Sequence, residues 1–116
     1  MHNYKKLEVW QESVILVTEI YLLTDKFPDR EKFGLISQIN RCAVSIPSNI
    51  AEGAGRNSKK EFALFLGYSL ASSFELDTQL IISNNLNFIS GEQKTRITEK
   101  LTIIQKKIYS LIKSLK

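Results

Sequence analysis

The sequence predicts an all-α protein, an up-and-down antiparallel four-helix bundle that forms a single domain over residues 1–116. Apolar residues recur at three- and four-residue spacing along four segments. No segment alternates apolar and polar residues with the period of two that a half-buried strand shows. Only 5 Gly and 2 Pro occur, fewer than a loop-rich sandwich or barrel needs. With 43% hydrophobic residues, the chain can bury a core of its own.

The first helix is predicted over about 5–25, and it carries two apolar stripes. The stripe predicted to face the core contains Trp10, Val14, Val17 and Tyr21. The second stripe, about 100° around the helix, contains Val9, Leu16, Ile20 and Leu23. A helix of a monomeric bundle needs one apolar face, so the second stripe predicts self-association through Leu16, Ile20 and Leu23. Scattered exposed apolar residues are the alternative interpretation.

The second helix is predicted over about 31–52, with its apolar stripe at Ile39, Ala43, Ile46 and Ile50. Pro47 lies inside it and predicts a kink, because proline removes one backbone hydrogen bond and crowds the carbonyl of Ala43. Gly53 and Gly55 are expected to end the helix, since glycine tolerates positive φ.

The third and fourth helices are predicted over about 58–87 and 91–115. Each begins with a capping-box pattern, Ser58 to Glu61 and Ser90 to Gln93. The third stripe contains Phe62, Leu66, Ser69, Ser73, Leu76 and Leu80, and the fourth contains Ile97, Leu101, Ile104, Ile108, Leu111 and Leu115. Short connections between neighbouring helices predict antiparallel packing.

A polar seam is predicted between the second and third helices. Its residues on the second helix are Gln38, Arg41, Ser45, Asn49 and Glu52, and those on the third are Tyr68, Ser72, Glu75 and Gln79. The paired residues have nearly constant sums of residue numbers, as antiparallel neighbours should. Two solvent-facing stripes are the alternative, but these helices carry few of the lysines typical of a solvated face. We therefore predict a buried or interfacial seam with an ion pair between Arg41 and Glu75.

The chain carries a net charge of +4, distributed unevenly. Two groups of bases without neighbouring acids in the sequence pattern are the candidates for binding nucleic acid: Arg56, Lys59 and Lys60 in one, and Arg96, Lys100 and Lys107 in the other. The alternative is that a basic last helix complements its own dipole and keeps the protein soluble.

The sequence offers no catalytic, cofactor-binding or metal-binding residues. One cysteine, Cys42, and one histidine, His2, exclude an internal disulfide, a cysteine cluster and a histidine-based triad. No phosphate loop or dinucleotide fingerprint occurs, so we expect no enzyme and no small-molecule substrate. No apolar run is long enough to span a membrane, and the first residues do not read as a signal peptide. Together with the unpaired cysteine, this predicts a cytoplasmic protein.

Several motifs together resemble a known family. They are Leu7-Glu8-Val9-Trp10-Gln11, Phe27-Pro28, Phe33-Gly34-Leu35, the stretch Ser45–Gly53, Glu61-Phe62 and Ser72 through Gln79-Leu80. As a set they resemble the bacterial four-helix-bundle proteins encoded in intervening sequences of 23S rRNA genes. The resemblance implies a ring, usually a homopentamer. It also implies kinship with accessory proteins of diversity-generating retroelements, which bind nucleic acid and a reverse transcriptase through basic surfaces.

Two functions therefore compete. The first is a non-enzymatic oligomeric protein that binds RNA or DNA through basic surfaces of a ring. The second is a purely structural or protein-interaction ring that binds no nucleic acid.

Overall fold

The computed structural model describes residues 2–116 and contains four α-helices. They are α1 (Glu8–Thr24), α2 (Leu35–Ala54), α3 (Lys59–Asn85) and α4 (Gly91–Ser114), with short 3-10 turns at Tyr4–Lys6 and Asp29–Glu31. Each helix packs against the next in the chain, and α4 packs back against α1, whereas α1 and α3 make no direct contact. The helices thus form a bundle of about 43 × 24 × 20 Å, with α1 and α3 on one diagonal. No strand occurs within residues 2–116, and the predicted fold class is confirmed.

The starts of α3 and α4 follow from side-chain capping. The Ser58 hydroxyl accepts a hydrogen bond from the Glu61 backbone N–H at 3.0 Å. At α4 the box is complete: the Ser90 hydroxyl accepts from the Gln93 N–H at 3.0 Å, and the Ser90 N–H donates to the Gln93 side chain at 2.9 Å. These bonds satisfy backbone donors that a helix start otherwise leaves without partners.

The core contains the apolar stripes that the sequence predicts for the last three helices. From α2 to α4 its buried members are Ile39, Ala43, Ile46, Ile50, Phe62, Leu66, Leu76, Leu80, Ile97, Leu101, Ile104 and Ile108. The hydroxyls of Ser69 and Ser73 are buried among them, each donating to a backbone carbonyl. Small hydroxyl side chains at these positions let α3 approach its neighbours closely without leaving a buried donor unpaired.

The orientation predicted for α1 is wrong. Leu16, Ile20 and Leu23, expected to form an oligomer interface, are 1%, 0% and 8% exposed and lie in the core of the chain itself. Val14 and Tyr21, expected inside, are 37% and 47% exposed. Residues of the chain's own core cannot form a surface between subunits, so any association must use a different face of α1.

Ion pairs with α4 accompany the burial of one of the two apolar stripes of α1. Both stripes have helical spacing, so periodicity alone cannot choose between them. Glu12 and Glu19 form ion pairs with Lys107 and Lys100 of α4. These pairs connect α1 to α4 in the rotation that buries the stripe containing Leu16.

Helix α2 continues through Pro47, which is buried, as one helix from Leu35 to Ala54. The carbonyl of Ile46, next to the proline, accepts a hydrogen bond from the Ser69 hydroxyl at 2.9 Å. This bond connects α2 to α3 beside Pro47, which has no backbone N–H to donate a hydrogen bond. The bend expected at Pro47 stays a prediction.

Gly53 has a different role from the one expected of it. No glycine within residues 2–116 has a positive φ. Gly55 is the C-cap of α2, as expected, but with a negative φ, and Gly53 lies buried in the last turn of the helix. A β-carbon added at Gly53 would lie 2.7 Å from Cβ of Phe65 and 3.1 Å from Cδ1 of Phe62. Glycine is needed here because the backbone of α2 approaches α3 too closely for any side chain.

We expect Gly53→Ala to lower the free energy of unfolding by about 1–3 kcal/mol, since an added methyl group would overpack this contact. Gly67→Ala is the matched control, because a β-carbon at Gly67 has no neighbour within 4 Å. There the better helix propensity of alanine should raise stability by about 0.5–1 kcal/mol. Urea unfolding followed by circular dichroism measures both; equal effects of the two substitutions would contradict the close-contact explanation.

Candidate nucleic-acid interface

Three segments of the chain meet at one end of the bundle. The backbone N–H of His2 donates to the carbonyl of Ala54 at 2.8 Å, which places the N-terminal segment against the end of α2. The His2 ring lies 4.9 Å from the ring of Phe62, in the first turn of α3. The Lys107 ammonium donates to Glu8 at 2.6 Å, which brings the last part of α4 to the start of α1. Residues 2–12, 52–61 and 107–116 thus form one end, which we call the basic end.

The basic end carries the whole net charge of the chain. Its bases are Lys5, Lys6, Arg56, Lys59, Lys60, Lys107, Lys113 and Lys116, and its acids are Glu8, Glu12, Glu52 and Glu61. Eight bases face four acids here, whereas the remaining eight bases of the chain are matched by eight acids. The net charge of +4 is therefore concentrated in about a quarter of the residues of the chain.

The structure leaves Arg56, Lys59 and Lys60 exposed at this end. A terminal nitrogen of Arg56 lies 3.5 Å from a Glu52 oxygen, and the guanidinium stacks 4.7 Å from the centre of the Phe65 ring. Lys59 and Lys60 form no ion pair with any residue from 2 to 116. They occupy the first turn of α3, where the partial positive charge of the helix dipole adds to their own.

Lys5 and Lys6 join this surface although the sequence interpretation did not include them. They lie in the 3-10 turn Tyr4–Lys6, which packs against α1 and α2. Two adjacent lysines at the start of the first predicted helix were the available signal. What the sequence did not show is that the segment folds back on the end of α2.

The second predicted group of bases is not the free basic flank that the sequence suggested. Lys100 hydrogen-bonds to Glu19, and Lys107 bonds to both Glu8 and Glu12. The bonds to these carboxylates raise the pKa of Lys107, and the bond from Lys107 lowers the pKa of Glu8. The expectation that no acid neutralises Lys100 and Lys107 is wrong, because the acids come from α1, far away in the sequence.

Arg96, the third residue of that group, is exposed near the opposite end of the bundle. It takes part in no ion pair among the residues that the structure describes. Its contribution to nucleic-acid binding stays a prediction.

The middle of the polar seam is a set of hydrogen bonds between α2 and α3. The hydroxyls of Ser45 and Ser72 lie 2.8 Å apart, in the antiparallel register that the residue numbers predict. The Asn49 amide donates to the hydroxyl and to the carbonyl of Ser45, at 2.9 Å each. These side chains are half-buried, so this part of the seam belongs to the packing between the helices.

Toward its ends the seam opens to solvent. Gln38, Arg41, Glu52, Tyr68 and Glu75 are exposed. The expected buried ion pair between Arg41 and Glu75 is wrong for the single chain, since within residues 2–116 Arg41 pairs with no acid. Glu75 instead accepts a hydrogen bond from the Cys42 thiol at 2.6 Å. A pair across an interface between subunits stays a prediction.

Cys42 is held in its protonated form. Burial and the hydrogen bond to Glu75 raise the pKa of the thiol from 9.0 to about 11, with the side chain of Gln79 opposing the shift. A thiolate at this place would lose its solvation and face the Glu75 carboxylate. The thiol therefore acts as a hydrogen-bond donor and is a poor nucleophile.

We expect native Cys42 to react with a disulfide reagent about a hundredfold more slowly at neutral pH than the same cysteine in urea, given its pKa of about 11. The Cys42 pKa is higher in the folded state than in the unfolded state, so folding favours the protonated thiol. Its contribution to the free energy of unfolding is therefore complete below pH 9 and is lost as the pH rises to about 11. The free energy of unfolding of the wild type should fall over that window more than that of Cys42→Ala. Parallel pH dependence of the two proteins would contradict the assignment.

These observations define a helical protein whose charge is concentrated at one end. No group of three or more His, Cys, Asp or Glu that could hold a metal ion occurs within residues 2–116. None of the helices described is long and apolar enough to cross a membrane.

Comparison with known proteins identifies the family. The family model for 23S rRNA-intervening sequence proteins matches residues 5–110, and the chain belongs to that family. A similar solved structure is a protein of unknown function from the S23 ribosomal protein family of Bacteroides thetaiotaomicron. It is 27% identical to this chain, with a TM-score of 0.82, and the match covers 90% of this chain and 98% of that one. No curated protein matches the chain.

Proposed function

We propose that this protein is a non-enzymatic, oligomeric nucleic-acid-binding protein and that the basic end holds the phosphate backbone of RNA or DNA. The observation that carries the proposal is the concentration of the entire net charge at that end. Nucleic acid presents closely spaced phosphates, and each base that contacts one releases a bound counterion. A compact group of exposed bases gains more from this effect than the same charge spread over the surface.

The proposed contacts are to phosphate rather than to base edges. The exposed bases lie in turns and at helix ends, and none lies along the outer face of a helix that could enter a groove. Phosphate contacts position a nucleic acid but carry no sequence information. The proposed binding is therefore weakly selective for sequence and falls steeply as salt rises.

We expect Lys59→Ala/Lys60→Ala to weaken RNA binding and to reduce the slope of log affinity against log salt by about 2, one for each lysine removed. The matched control is Lys26→Ala/Lys94→Ala, which removes the same charge from the opposite end of the bundle. Fluorescence anisotropy measures the affinity of each protein for a short RNA over a series of salt concentrations. Thermal melts check that both variants fold.

Equal losses in the two variants would show that binding follows total charge and would refute the basic end as the site. No binding by the wild type even at about 50 mM salt, where phosphate contacts are strongest, would favour the alternative function. That alternative is a structural or protein-interaction ring without nucleic acid.

The proposed oligomer rests on two apolar surfaces that the single chain leaves exposed. The first is the outer face of α1, where Ile15, Tyr21 and Leu22 are 59%, 47% and 66% exposed. The second includes Phe74 of α3, beside a groove that it shares with Tyr109 of α4. Solvated helix faces usually carry charged residues, and apolar faces of this kind mark contacts between proteins.

The positions of the two surfaces favour a ring. They belong to α1 and α3, which lie on one diagonal of the bundle and do not touch. Different surfaces on opposite sides favour a head-to-tail contact, and such contacts close into cyclic oligomers when the rotation allows. The number five comes from the family resemblance alone. In a ring, the basic ends of all subunits would lie on the same side and add their charges.

We expect the wild type to exceed the 13.3 kDa of one chain severalfold in light scattering, with five copies as the proposed number. Leu22→Asp and Phe74→Asp should each lower that mass, because each places a charge in a desolvated contact. Both side chains are exposed, so folding should persist. Thr95→Asp on exposed α4 surface is the control. A monomeric wild type at micromolar concentration would rule out the ring.

Two further parts of the proposal rest on the resemblance and the composition. The kinship with retroelement accessory proteins that the resemblance implies supports a reverse transcriptase as a protein partner of the ring. The unpaired cysteine Cys42 supports a reducing compartment, and we propose the cytoplasm.

A further inference from the structure

A groove between α2 and α3 opens at the end of the bundle opposite the basic end. Its volume is about 630 Å³, within the range of small-molecule sites. The first half of α2 supplies Ser37, Gln38 and Arg41, and the second half of α3 supplies Glu75 and Gln79. Polar side chains thus converge on a cavity that the basic end does not use.

The groove contains one buried and one exposed hydrogen-bond acceptor side chain. Gln79 is 7% exposed, and its buried side-chain oxygen has no partner. Glu75 accepts one bond at Oε2, from Cys42, and its other oxygen accepts none from residues 2–116. The two residues are one turn apart on α3 and therefore lie side by side. The Gln79 oxygen has no accessible surface, so a ligand in the groove meets the exposed Glu75 carboxylate, whose two oxygens suit two adjacent N–H donors.

The α2 side of the groove offers an aromatic surface and a positive charge. Phe33 stands at the rim with 91% of its surface exposed, far more than a side chain used for packing. The Lys32 ammonium lies 5.6 Å from the centre of the Phe33 ring. The exposed Arg41 has no acid partner among the described residues, so its guanidinium is free to hold an anion.

From these features we infer that the α2–α3 groove binds a guanine nucleotide, either free or as one residue of a single strand. The guanine N1–H and N2–H₂ groups are adjacent donors and match the two oxygens of the exposed Glu75 carboxylate. Adenine and cytosine each offer a single exocyclic amine on that edge. Phe33 provides a stacking surface for the base, and Arg41 binds the phosphate. This site goes beyond the proposed function, because it lies away from the basic end.

The test is calorimetric titration of the full chain with GMP, AMP, CMP and guanosine at physiological salt. We expect saturable binding of GMP, at least about tenfold tighter than that of AMP or CMP. Phe33→Ala should weaken GMP about tenfold through lost stacking. Arg41→Gln should weaken GMP binding to the affinity of guanosine and leave guanosine binding unchanged, because the substitution removes only the contact to the phosphate. The side chains of Phe33 and Arg41 are exposed, and circular dichroism checks that both variants fold.

Two comparisons separate this site from the basic end and identify the source of the nucleotide. Lys59→Ala/Lys60→Ala should leave GMP binding unchanged while it weakens RNA, so failure of one proposal is distinguishable from failure of the other. A short single strand with one guanine should compete with GMP if the groove takes a base from a strand, and an all-adenine strand should not. Absence of competition assigns the site to the free nucleotide.

Absence of saturable GMP binding, equal affinity for the three nucleotides, or full binding by Phe33→Ala would each overturn the inference. A change in assembly mass caused by Phe33→Ala would overturn it too, because it would show that a second copy of the chain occupies the groove.

Discussion

Small side chains hold α2 and α3 together along most of their length, and the positions of the other features follow from this contact. Gly53 brings the two backbones together next to the turn, and the Ser45–Ser72 and Ser69–Ile46 hydrogen bonds continue the contact. Every buried hydroxyl in it has a partner, so close approach carries no desolvation cost. Near Cys42 the contact widens, and the groove opens where the small residues end.

Ion pairs connect α1 and α4 in the other half of the bundle. The acids of α1 form ion pairs with Lys100 and Lys107, which would otherwise extend the positive surface along α4. Such pairs near the surface contribute little to stability, so they accompany the rotation of α1 that core packing sets. Because of these pairs, the bases that have no acid to balance them lie at one end of the bundle. The distribution of charge is thus a consequence of how the helices pack, and a short basic surface replaces a long one.

The fold is shared with a protein of the S23 ribosomal protein family at 27% identity. A bundle of this kind is a scaffold, and function depends on what its surfaces present. Here three surfaces remain after packing: the basic end, the apolar faces of α1 and α3, and the polar groove. They lie at different places on the bundle, so the three proposed roles use different residues.

The sequence by itself determined the four helices, their caps and the core stripes of α2, α3 and α4, because periodicity and capping are local properties. It also determined the family, through the motifs between Leu7 and Leu80. Only the tertiary structure decided which stripe of α1 is buried, since Leu16 and Val14 both have helical spacing. It also decided which lysines stay free, because the partners of Lys107 are about a hundred residues away in the chain. Packing and pairing between distant segments are absent from any local pattern, and they fixed the candidate sites.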